Sequence, residues 1–60
     1  MYLIIMIDGN VLMPRMSELK ALIGNNTNPE VIETIVLTYA NHFVKTKGYS
    51  PTDIKEIKKV

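Results

Sequence analysis

One segment constrains this chain more than any other: a helix that opens at Asn28-Pro29-Glu30 and closes at Lys47-Gly48. Asn28 is a good N-cap, Pro29 suits the first helical position, Glu30 favours the positive helix start, and Gly48 is the residue type that ends helices. Stepped round a helix, Val31, Ile32, Ile35, Val36, Leu37, Tyr39, Ala40, Phe43 and Val44 cover an arc of about 240°. Only Thr34, Thr38, Asn41 and Lys45 form a polar stripe. A surface helix needs an apolar face of about 100°, so this one must be covered on nearly all sides. The chain has 60 residues, and a chain of that size buries only about 60% of its unfolded surface. Leu37 and Val44 are therefore expected to face a second subunit.

The N-terminal run Tyr2 to Ile7 makes the same demand at strand spacing. Tyr2, Ile4 and Met6 would lie on one face and Leu3, Ile5 and Ile7 on the other, with no polar alternation. An apolar strand with an open edge invites pairing, so Tyr2, Ile4 and Met6 join Leu37 and Val44 as expected protein-interface residues of a homodimer. Asp8-Gly9-Asn10 is a turn signal, and Val11 to Met13 forms a returning strand that Pro14 stops.

Residues 15–23 read as a short helix with Met16, Leu19, Leu22 and Ile23 inward and Gly24 just past its end. Ser50-Pro51-Thr52-Asp53 reads as another capped helix start, with Ile54, Ile57 and Val60 as a thin apolar edge. The expected fold is a small single α+β domain over residues 1–60. It has a β-hairpin or ribbon at 2–13 and helices at about 15–23, 29–47 and 51–59 around the long central one.

Composition removes several classes of function. With no Cys there is no disulfide framework and no thiolate metal site. His42 is the only imidazole and has no carboxylate four residues away, so it reads as a half-buried structural side chain. The acids are scattered singly, and no phosphate-binding or nucleophile-elbow motif occurs. No catalytic residue, metal or cofactor is expected. No segment reaches the roughly 20 apolar residues a membrane span takes. The Tyr2–Ile7 run lacks the flanks of a signal peptide, so a cytoplasmic protein is expected. The net charge is +1, but it is unevenly placed: Lys45, Lys47, Lys55, Lys58 and Lys59 outweigh Asp53 and Glu56 at the C-terminal end.

Two local resemblances accompany this reading. Ile4-Ile5-Met6-Ile7-Asp8-Gly9-Asn10 is similar to the first strand of PIN-like and NYN-like nucleases, which implies a Mg²⁺-holding role for Asp8. The order of strand, short helix, polar loop and long helix, with Gly24-Asn25-Asn26-Thr27-Asn28-Pro29-Glu30-Val31-Ile32, resembles ribbon-helix-helix repressors. That resemblance implies a dimeric DNA-binding regulator in which Asn26, Thr27 and Asn28 clasp phosphate with help from Lys45. It departs from the family at the strand, where none of the candidate base-reading residues Tyr2 to Ile7 carries a bidentate donor, and at Pro14 within the first helix. The function expected first is a non-enzymatic accessory or regulatory protein that binds another protein as a homodimer. DNA binding is the alternative.

Overall fold

The computed structural model describes all 60 residues. Strand β1 (Tyr2–Met6) and strand β2 (Val11–Leu12) form an antiparallel hairpin. Helix α1 (Met16–Ile23) and helix α2 (Pro29–Thr46) follow, then a 3-10 turn (Pro51–Asp53) and strand β3 (Ile54–Lys59). The sheet order is β2-β1-β3, antiparallel throughout. No helix is long and apolar enough to cross a membrane.

The hairpin loop is Ile7-Asp8-Gly9. The Met6 carbonyl accepts from Gly9 N–H at 3.0 Å, and Met6 N–H donates to Asn10 O at 2.8 Å. Gly9 has φ +90, the left-handed position that a three-residue hairpin loop requires. α2 stops on Gly48, with φ +84. The Tyr49 N–H then bonds back to Val44 O at 3.0 Å and the Gly48 N–H to Lys45 O at 3.2 Å, satisfying the last carbonyls of the helix. The same reversal brings the chain into β3.

A third helix over 51–59 is expected from sequence, and the structure corrects this. The capped start is present: Ser50 Oγ accepts from Thr52 N–H, and Asp53 Oδ2 accepts from Ser50 N–H at 3.0 Å. The helical turn then ends, and Ile54 to Lys59 pair with β1. The Ile54/Ile57 spacing of three looks helical, and a regular strand would put these side chains on opposite faces. Here Met6 faces Ile54 while Ile5 faces Glu56, so Lys55 is the extra residue of a β-bulge. The bulge returns both isoleucines to the same face of the sheet.

That face is the core. Ile4, Met6, Ala40 and Val44 are almost fully buried together, with Leu12, Phe43, Tyr49, Ile54 and Ile57 packed around them. Leu19 of α1 is fully buried, whereas Leu22, expected inward, is exposed. The two helices are joined by the Tyr39 hydroxyl, which donates to Glu18 Oε2 at 2.9 Å. Partial burial, and then that bond to Glu18, raise the Tyr39 phenol above its ordinary value. On the opposite face of the sheet Leu3 and Ile5 are half-buried.

Candidate protein-binding groove

The sheet and α2 diverge beyond the core. Val36, Ala40 and Val44, spaced four apart, are the buried line of α2. Toward the helix N-terminus nothing covers the flank beside β3, and a groove of about 670 Å³ opens there. Tyr2, Ile32, Val36, Leu37, Ile54 and Ile57 supply its apolar walls, while Glu33, Lys55 and Lys59 supply charge around it. Leu37 is 51% exposed, a large apolar side chain left in water beside other apolar groups.

The structure therefore brings together two of the five residues expected at a protein interface, Tyr2 and Leu37. It places the other three elsewhere: Ile4, Met6 and Val44 are buried inside the chain's own core. The physical reason is β3, which reads as a helix in the sequence but packs Ile54 and Ile57 against these residues as a strand. Ile32 belongs to the over-wide helical arc and was within reach of sequence reasoning. Ile54, Ile57 and Lys59 of the groove were not, because their placement depends on the bulge.

The residues expected to contact phosphate do not form one site. The Asn26 Nδ2 donates to Ile23 O at 3.0 Å, and the Asn28 Oδ1 accepts from Glu30 N–H at 3.0 Å, so both side chains serve their own helix ends. Thr27 is exposed between them. Lys45 lies in the last turn of α2, about 25 Å along the helix from Asn28. Strand β1 is hydrogen-bonded on both edges by strands of its own chain, so it has no free edge for the intersubunit ribbon of the ribbon-helix-helix layout.

Asp8 sits in a polar clamp at the far end of the sheet. The Tyr49 hydroxyl donates to its Oδ2 at 2.7 Å, the Asn10 N–H donates to Oδ1 at 3.0 Å, and Asn10 Nδ2 reaches Oδ2 at 3.1 Å and the Tyr49 oxygen at 2.6 Å. The Asn10 backbone N–H first, and then the Tyr49 hydroxyl, hold the Asp8 carboxyl below its ordinary value. The Asn10 amide pulls the Tyr49 phenol down, but the bond to Asp8 and desolvation outweigh it and raise the phenol. The arrangement ties the hairpin loop to the chain after α2. No group of three His, Asp or Glu side chains stands close enough to share a metal ion.

His42, expected half-buried, is exposed. It lies on the other flank of α2, beside a smaller depression shared with Leu22, Ile35 and Tyr39. No family model, curated protein or solved structure matches this chain.

Proposed function

We propose that this chain is a small accessory or regulatory protein that works by protein–protein binding, as a homodimer, and not by catalysis. One observation carries the reading: Tyr2 and Leu37, far apart in sequence, line the same open apolar groove between α2 and β3. Apolar surface gathered into a concavity and rimmed by charge is the anatomy of a protein interface. A chain of this size also gains stability by association, because its own core is small.

The test is solution mass by light scattering at several micromolar, in low and moderate salt. Twice the monomer mass is expected. Leu37→Glu should return the mass to that of a monomer with an unchanged far-UV circular dichroism spectrum, because Leu37 contributes to the groove and not to the core. A wild-type monomer, or a variant that stays dimeric, counts against the reading. A titration with duplex DNA at about 50 mM salt accompanies it. Binding that weakens steeply with salt would restore the DNA-binding alternative.

A further inference from the structure

β3 is an edge strand, and its hydrogen-bonding phase can be worked out. Met1 and Val60 exchange both backbone bonds: Val60 N–H to Met1 O at 2.9 Å and the Met1 amino group to Val60 O at 3.3 Å. Antiparallel pairs alternate between bonded and non-bonded. Continuing the register of β1 on β3, Leu3/Lys58 and Ile5/Glu56 are bonded pairs, while Tyr2/Lys59 and Ile4/Ile57 are not. The N–H and C=O of Ile57 and Lys59 therefore point away from β1, toward the free edge. Their side chains lie on the groove side, and both line the groove. Glu56 and Lys58 alternate onto the opposite face.

We propose that the free edge of β3 pairs with β3 of a second copy, antiparallel, with Ile57 opposite Ile57 on the two-fold axis. This rests on the homodimer reading above and names its interface. Ile57 presents outward backbone groups, so the pair Ile57/Ile57 exchanges two hydrogen bonds. The flanking non-bonded pairs set Glu56 of each copy opposite Lys58 of the other, at the closest cross-strand spacing. On the face turned away from α2 the edge is thus complementary in charge to itself in this register, and the axis makes each ion pair occur twice.

The neighbouring register, with Ile57 opposite Lys59, sets Lys58 against Lys58 on the axis and forfeits both pairs. In the Ile57-centred register Lys55 of each copy faces Lys59 of the other, on the groove side, where Glu33 also lines the wall. These two like-charge pairs are absent from the neighbouring register and offset part of the gain, but they fall at the wider bonded spacing, whereas the Glu56/Lys58 pairs fall at the closer non-bonded one.

The axis runs perpendicular to the joined sheet, so both α2 helices stay on one side of six continuous strands, ordered β2-β1-β3-β3-β1-β2. The two grooves then open toward each other. Ile32 and Leu37 of each copy supply apolar area that a few edge residues alone lack.

The experiment measures dimer dissociation by light scattering over a dilution series of the full chain. Lys59→Pro removes an outward N–H and should yield monomer with an unchanged circular dichroism spectrum, since proline is tolerated where the N–H of an edge strand faces out. Glu56→Lys and Lys58→Glu each turn two attractive pairs repulsive and should weaken the dimer about tenfold. Mixing these two variants restores both pairs between unlike copies, so a heterodimer as tight as wild type is expected. If Lys59→Pro leaves wild-type dimerisation, or the mixture associates no better than its components, the β3 interface is overturned while the homodimer reading stands. A wild-type chain that is monomeric at every concentration overturns both.

Discussion

Within α2, Ala40 and Val44 are sealed against Ile4 and Met6, while Val31 and Leu37 on the N-terminal half are 38% and 51% exposed. Both halves are rich in β-branched and large apolar residues, so composition does not separate them. What separates them is the rest of the chain. Near its C-terminal end the helix packs on Ile4 and Met6 of β1 with Leu12, Ile54 and Ile57 beside them, and Tyr49 turns back to lock that end through Asp8 and Asn10. Toward its N-terminal end the flank facing β3 has no neighbour. One helix therefore serves as core at one end and leaves apolar surface exposed at the other. The lesson is that an over-wide apolar arc locates an excess of surface, not the side on which that excess lies.

The sealed half can be broken most severely at Met6, which is fully buried. Met6→Ala removes its side chain from the centre of the cluster and should cost about 2–5 kcal/mol, measured by chemical or thermal unfolding. If the loss is below about 1 kcal/mol, the packing of this half is looser than the contrast requires. Gly9→Val comes next. A β-branched residue at φ +90 strains the hairpin loop and should destabilise the fold by about 1 kcal/mol or more.

Asp8→Asn gives the smallest expected loss, and its signature is pH dependence. The folded state holds the Asp8 carboxyl below the ordinary value of 3.8. Its contribution is therefore fully present above that value and is lost as pH falls through the lower folded one. The melting temperatures of wild type and Asp8→Asn should differ at neutral pH and converge in acid. A gap that persists unchanged into acid would mean the clamp draws nothing from the ionised carboxylate.

The same contrast shows which parts of the fold are legible from residues. Both helices declare their ends through local chemistry: Asn28-Pro29 and Gly48 for α2, and Gly24 for α1. The hairpin is legible from Asp8-Gly9-Asn10 between apolar runs. β3 is not, because a bulged strand and a short helix share the spacing of Ile54 and Ile57, and Ser50-Pro51 begins a helical turn in either case. The clamp of Tyr49 on Asp8 is equally hidden, since the two residues meet only through the reversal at Gly48. At the groove, Leu37 and Tyr2 are legible as surplus apolar surface. Ile4, Met6 and Val44 are not separable from them by angle or alternation alone, because burial depends on which element lies opposite.

The bulge at Lys55 also bears on how the length of this chain can change. In a regular strand, losing one residue turns every side chain beyond the loss to the other face. At Ile54-Lys55-Glu56-Ile57 the extra residue is already out of phase with its partner strand. Losing Lys55 would leave Ile54, Glu56 and Ile57 in plain alternation, with both isoleucines still facing α2. The same loss at Ile5 in β1 would carry Tyr2 and Ile4 out of the core face. A single codon is thus dispensable to the face pattern at one point of this sheet and indispensable a strand away.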